Sequence, residues 1–144
     1  MDIEKIVSEW NKDSKIDDTE LGTESSRIPM VHNKYLKYYM GERIQLIKLK
    51  GEHKKLQRLL LEYYLGELDN QELQELGRQQ FFKKLLKIEV NTYIESDDAF
   101  IESTIKVAMQ DEKVSYLDSI IKSLNNRGFQ IKSALDWMKF TTGA

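Results

Sequence analysis

The residues that could carry acid–base or metal chemistry are few in this sequence. It has two histidines, His32 and His53, and no cysteine, which excludes disulfides, thiolate metal sites and cysteine nucleophiles. The two histidines are 21 residues apart, which argues against a zinc site. The acidic pairs Asp17/Asp18 and Asp97/Asp98 stand where helices are expected to start, so capping explains them better than catalysis. No glycine-rich phosphate loop occurs. We therefore expect no enzyme activity, no metal and no cofactor.

Positive charge is the more informative feature of the chain. The run from Lys34 to Tyr64 contains eight basic and three acidic residues, a net charge of +5, whereas the whole chain carries −2. A basic surface on a mildly acidic protein attracts a polyanion while the remaining surface resists non-specific binding. A charge run is also typical of a solvated helix face, so charge alone leaves both interpretations open.

Nucleic acid is the target that these residue types favour. Lysine and arginine bind phosphates whatever the base sequence, and tyrosine rings offer stacking surfaces. No recognition-helix or zinc-finger motif indicates base reading, so we expect single-stranded or shape-tolerant binding. Tyr38 lies off the predicted apolar seam and is the candidate for stacking. The candidate DNA-binding residues are Lys37, Lys48, Lys50, Lys54, Lys55 and Arg58.

A long helix, about residues 28–65, is predicted to position these side chains. Steps of three and four residues give a seam of which seven of nine members are apolar, as in a coiled coil. The seam comprises Tyr35, Tyr39, Glu42, Leu46, Leu49, His53, Leu56, Leu60 and Tyr63. Ser25 and Ser26 are predicted to cap this helix, with Pro29 in its first turn and Gly66 after its end. The basic residues then occupy the outer face.

The rest of the chain also shows helical patterns. Residues 2–12 predict a short amphipathic helix, and a returning helix is predicted over about 70–94. Residues 87–95 alternate in a way that would also fit a strand, although we favour a helix because no pairing strand is evident. Asp97 is expected to cap the next helix, whose apolar phase continues past the sequence NNRG. A continuous helix and a break there are both open.

The fold class that follows is all-α: a helical hairpin or bundle with a long basic helix and a C-terminal oligomerisation helix. We expect an N-terminal region over 1–95 and a C-terminal region over 97–144, together forming one structural unit. No run approaches the ~20 apolar residues that span a bilayer, and the N-terminus lacks the layout of a signal peptide. The expectation is therefore a cytoplasmic protein with no membrane partner.

The C-terminal segment carries apolar residues on several sides. That is more than one helix face needs for folding, which favours self-association, although capping of the chain's own core remains open. Gly128 would permit close helix contact. The candidate oligomerisation residues are Gly128, Phe129, Ile131, Leu135, Trp137 and Met138.

Four stretches carry a family resemblance: IDDTEL, HNKYLKYY, HKKLQRLLLEYYLG and NRGFQIKSALDWMKF, in this order over nearly the whole length. Their combination resembles the UvsY recombination mediator family of T-even-type phages. The resemblance implies a non-enzymatic, ring-like homo-oligomer that binds single-stranded DNA in the cytoplasm of an infected bacterial host. It also implies two protein partners. The mediator would weaken the hold of the phage single-strand-binding protein and help to load the phage's RecA-like recombinase.

The resemblance also bears on particular residues. The family's basic run before the paired tyrosines corresponds to Lys54, Lys55 and Arg58, and the C-terminal segment is similar to the part that the family uses to oligomerise. The sequence departs from the pattern at Leu60, where the better-known relative has a basic residue. The alternative function is a coiled-coil scaffold or adaptor whose basic face binds an acidic protein partner.

Overall fold

The computed structural model describes residues 1–143, which form six α-helices and no β-strand. The helices are α1 (Ile3–Asp13), α2 (Leu21–Tyr64), α3 (Asn70–Leu76), α4 (Lys87–Glu95), α5 (Asp98–Asn125) and α6 (Arg127–Thr142). The predicted all-α class is confirmed. The described chain divides into two compact units, and both α2 and α5 contribute to each of them.

Unit 1, residues 1–44 with 111–143, is built around a core from α1, α2 and α5. Ile6, Tyr35 and Leu117 are fully buried there. Because Tyr35 is buried, its hydroxyl needs a partner, and it donates to a carboxylate oxygen of Asp13 at 2.7 Å. Trp10 contacts the edge of the Tyr35 ring, with centroids 5.4 Å apart. The apolar stripe of α1 is thereby attached to α2.

Unit 2, residues 45–110, has a second core in which α4 and the start of α5 pack on α2. Leu60, Val90 and Ile94 are its buried centre. Residues 87–95 form the helix α4, which confirms the prediction of a helix in place of a strand. Val90 and Ile94, two apolar residues of the alternating pattern, are buried.

The start of α2 differs from the prediction. The helix begins at Leu21, so Ser25 and Ser26 lie inside it and Pro29 is an interior residue. Glu24 is buried in the first turn and forms an ion pair with Arg27 at 3.5 Å, which helps to hold the additional turns in place. Val31 of this helix packs in the unit 1 core, so tertiary contacts have outweighed both the local capping signal and the cost of proline in a helix interior, about 3 kcal/mol.

The predicted returning helix over 70–94 is wrong as one element. Asp69 and Glu72 form the expected capping box, but Gly77 adopts a left-handed conformation with φ 72° and ends α3 after Leu76. Residues 77–86 are then non-helical.

Near the C-terminus the helix breaks at Asn126, between α5 and α6, rather than at Gly128, which lies inside α6.

Candidate nucleic-acid interface

The basic face of α2, defined as Lys48, Lys50, Lys54, Lys55 and Arg58, lies wholly within unit 2, and all five residues are exposed. A helix turns by about 100° per residue, so side chains four apart form a row, as do those seven apart. Lys50, Lys54 and Arg58 make one such row; Lys48 and Lys55 make another. The seam residues of this stretch, which face the opposite way, are buried or half-buried. Charge and packing therefore occupy different sides of the helix.

The charges on this face are largely uncompensated. Arg58 donates from Nε to a Glu62 carboxylate oxygen at 3.2 Å, and its side chain is 83% exposed. Exposed helix pairs of this kind contribute only about 0.3–0.5 kcal/mol, so a phosphate can replace Glu62. Within residues 1–143, none of the four lysines of the face takes part in a salt bridge. Four ammonium groups thus remain available for an anionic ligand.

The two other candidates on α2 belong to unit 1. Lys37 is exposed. Tyr38 is half-buried, and its ring packs at right angles to Tyr35 with centroids 5.7 Å apart. Burial and a hydrogen bond to Glu9 raise the pKa of the Tyr38 hydroxyl. The structure therefore gives this ring packing contacts and leaves less of its surface to stack on a base than the sequence prediction assumed.

Leu60, which follows the basic face by two residues, is 0% exposed. Its side chain lies in the unit 2 core with Val90 and Ile94. A residue in that position cannot contact a ligand outside the fold. The basic face therefore ends at Arg58, because the side chain of residue 60 lies in the core of unit 2.

The paired tyrosines after the basic face have structural roles. The Tyr64 hydroxyl donates to Asp97 at 2.6 Å, and the Tyr63 hydroxyl donates to the carbonyl of Gln79 at 3.0 Å. Arg78 donates to both carboxylate oxygens of Asp97, the Nη2 contact being 2.8 Å. The Arg78 bond lowers the pKa of Asp97 to about 2, while burial raises the pKa of Tyr64 to about 12.

Asp97 also caps α5, as predicted, by accepting from the Ala99 N–H at 2.9 Å. Its pairing with Arg78 was missed because residues 77–86 were assigned to a helix. The same assignment concealed the exposed Phe82 and Lys84. The acid-free run FFKKLLK was the signal in the sequence that could have drawn attention to them.

His53 sits in the α2–α5 contact of unit 2. Its Nδ1 is 2.9 Å from the Ser103 hydroxyl, and its ring centroid is 4.7 Å from that of Phe100. This is a packed, hydrogen-bonded histidine. Across the part of the chain that the structure describes, no group of three or more acidic, histidine or cysteine side chains is placed to hold a metal ion.

The predicted oligomerisation residues fall into two sets. Ile131 is 7% exposed and belongs to the chain's own core. Phe129 and Trp137 are 74% and 65% exposed, and Trp137 stacks on the exposed Phe140 at 5.8 Å. Leu135 and Met138 are also exposed. Gly128 is exposed too, and apart from its chain neighbours and the backbone of its own helix no atom of the described chain lies within 4 Å of the place a Cβ would take, so it makes no close contact with another helix of this chain.

This fold and this surface define a class: all-helical proteins with an exposed basic helix face whose charges are largely uncompensated. The chain belongs to the UvsY family, since residues 9–144 match the family model described as recombination, repair and ssDNA binding protein UvsY. It is similar to the recombination protein uvsY of Enterobacteria phage T4, with 23% identity over 143 residues and 99% of each chain covered.

Solved structures show the same fold. Two crystal structures of the bacteriophage T4 recombination mediator protein UvsY, in lattice types IV and II, match with TM-scores of 0.84 and 0.82. Sequence identity is 21% and 22%. The matches cover 97% and 99% of this chain and 99% and 98% of the respective relatives. The predicted family is confirmed.

No helix within residues 1–143 is both long enough and apolar enough to cross a bilayer.

Proposed function

We propose that this protein is a recombination mediator that binds single-stranded DNA through the basic face of α2, with Lys37 as a further contact. The observation that carries the proposal is the set of four exposed lysines without salt-bridge partners, which form two rows on the part of α2 that lies outside the packed seam. Their spacing places ammonium groups at successive turns, where each can bind a phosphate regardless of the base attached to it.

Assembly strengthens this interaction. A few phosphate contacts bind weakly at physiological salt because displaced counterions compete for the strand. Several copies of the basic face in one homo-oligomer act on the same strand at high effective concentration. The exposed apolar residues of α6, including Phe129 and Trp137, supply a surface through which copies can associate, and we propose a ring.

The mediator activity follows from binding that is independent of base sequence. A protein that holds phosphates can bind any strand that the phage single-strand-binding protein covers and weaken its hold there. It can then present the exposed strand to a RecA-like recombinase and promote filament loading. In this scheme ATP hydrolysis belongs to the recombinase, and the mediator contributes binding energy and geometry only.

The decisive test is fluorescence anisotropy with a labelled single-stranded oligonucleotide across a salt titration. Each phosphate contact contributes a slope of about −0.7 to log K against log salt for a single strand. Lys54→Gln with Lys55→Gln should therefore weaken binding and reduce the slope by about 1.4 for each subunit that contacts the strand. Lys122→Gln removes an exposed lysine of unit 1 that pairs with Asp118 at 2.8 Å, and should leave the slope unchanged.

Unaltered affinity and slope in the double variant would overturn the proposed interface.

An adaptor that binds an acidic protein is the competing function, because an uncompensated basic face also suits a carboxylate-rich partner. Wild-type protein that fails to bind the oligonucleotide at moderate salt would favour the adaptor. The mediator step has its own assay: the lag in recombinase filament assembly on strands coated with single-strand-binding protein should shorten with wild type and not with the double variant.

A further inference from the structure

A second basic surface lies between α3 and α4. The sequence from Arg78 to Lys87, RQQFFKKLLK, contains four basic residues and no acidic one. Residues 77–86 are non-helical, and Phe82 within them is 86% exposed. This combination of an exposed aromatic ring with neighbouring lysines played no part in the function proposed above.

The backbone around Phe82 is anchored on both sides. Arg78 is bound to Asp97 before it, and Leu85 packs against the unit 2 core after it. Phe81 packs edge-on against Tyr64, with centroids 4.9 Å apart, and also contacts Tyr93 at 5.7 Å. The neighbouring Phe82 extends into solvent. Its exposure is therefore imposed by an ordered segment.

The charges beside the exposed ring are available to a ligand. Lys83 donates to the Tyr93 hydroxyl at 2.9 Å, a neutral partner that positions the ammonium group without neutralising it. Lys84 is exposed. No salt bridge within the described chain involves either lysine, whereas the charge of Arg78 is balanced by Asp97.

We propose that Phe82 stacks on a base of single-stranded DNA while Lys83 and Lys84 bind the adjacent phosphates. This inference rests on the proposed function and adds a contact of a different kind to it. Single-strand binding combines cationic groups along the backbone with aromatic rings that accept any base, because every base has a π face. An apolar protein partner would instead have to desolvate both ammonium groups without compensation.

The segment is joined to the α2 interface. Tyr63 holds the Gln79 carbonyl, and Tyr64 contacts Phe81, so residues 79–81 lie against the C-terminal end of α2. Arg58, the last residue of the basic face, is five residues before Tyr63, which is a rise of about 7.5 Å along the helix and a turn of about 140° around it. A strand that leaves the basic face at Arg58 therefore has to pass around the C-terminal end of α2 to reach Phe82, which lies in the same unit.

Stacking can be separated from phosphate binding with two oligonucleotides of equal length, one of thymidines and one abasic. Phe82→Ala should weaken binding to the thymidine strand about tenfold, an effect expected for one lost stacked base, and leave the abasic strand and the salt slope unchanged. Phe82→Leu should bind the thymidine strand as weakly as Phe82→Ala does, and Phe82→Trp should bind it with the affinity of the wild type. Lys84→Gln should lower affinity for both strands and reduce the slope by about 0.7 for each subunit that contacts the strand.

Phe81→Ala is the matched control, since it removes a packed ring and should lower the melting temperature, whereas Phe82→Ala should not. If wild type binds the thymidine strand and Phe82→Ala binds it equally well, the stacking contact is overturned while the proposed function stands. Full affinity in Phe82→Leu, or equal losses on the thymidine and abasic strands, would also overturn stacking. Wild type that binds neither strand would overturn the proposed function and this inference together.

Discussion

Replacing Asp97 by alanine should destabilise unit 2 more than any nearby surface change. The Asp97 side chain is only 3% exposed, and it accepts from Arg78, from Tyr64 and from the N–H of Ala99. The substitution removes an ion pair, leaves the Tyr64 hydroxyl without its acceptor and deletes the cap of α5. Losing one partner of a buried ion pair costs about 3–5 kcal/mol, and losing a cap about 1 kcal/mol.

The expected loss for Asp97→Ala is nearer the lower end of that range, about 3 kcal/mol, because the Arg78 side chain is 25% exposed and water can solvate part of its charge. The pKa gives an independent figure. The pKa of Asp97 falls from 3.8 to about 2, chiefly through its bond to Arg78, and a difference of that size corresponds to about 2 kcal/mol.

The difference between the folded and unfolded pKa of Asp97 also determines how the free energy of unfolding depends on pH. The folded pKa is lower than the unfolded one, so the contribution of Asp97 is complete above about pH 4 and is lost as the pH falls towards 2. Urea unfolding followed by helical circular dichroism at fixed protein concentration, at neutral pH and at about pH 3, measures both quantities. The difference between wild type and Asp97→Ala should shrink at the lower pH.

Asp98→Ala provides the matched control, since Asp98 is the exposed first residue of α5 and should cost less than about 1 kcal/mol. If Asp97→Ala unfolds at the same denaturant concentration as Asp98→Ala, the Arg78–Asp97–Tyr64 network does not stabilise the fold as argued. A difference between Asp97→Ala and wild type that stays constant between neutral pH and pH 3 would refute the linkage.

Two further predictions concern packing and assembly. Leu60→Ala should lower the free energy of unfolding by about 2–5 kcal/mol because it leaves a cavity in the unit 2 core. The neighbouring Leu61 is 40% exposed, and Leu61→Ala should cost far less. Equal losses in urea unfolding would contradict the assignment of Leu60 to the core. Trp137→Glu should yield a species of lower mass by light scattering, whereas Thr141→Glu, at another exposed position of α6, should not. An unchanged mass in Trp137→Glu would argue against α6 as the oligomer surface.

The periodic parts of the sequence predicted structure well. The seam of α2 repeats every three and four residues, and all nine of its members are buried or half-buried, because one face of a long helix must pack while the other remains in water. The capping residues Asp69 and Asp97 also act where predicted, since each bonds backbone N–H groups only two or three residues away.

Errors arose where distant contacts overrode local signals. Ser25, Ser26 and Pro29 suggested a helix start, yet the helix begins at Leu21 and its Val31 packs in the unit 1 core with Ile6 and Leu117. The apolar pattern of Phe81, Phe82 and Leu85 fitted a helix, yet Gly77 ends α3, and the side chains of Tyr63 and Asp97 bind the non-helical segment that follows. Neither partner is close in sequence, so no local pattern contains that information.

The sequence by itself determined the helical class, the family and the separation of charge from packing on α2, because these depend on residue type and on a spacing set by helix geometry. Only the tertiary structure decided which of the candidate side chains are accessible. It placed Leu60 and Ile131 in cores, gave Tyr38 packing neighbours and exposed Phe82. Accessibility depends on contacts between residues far apart in the chain, and for that reason the second basic surface came from the fold and not from the spacing.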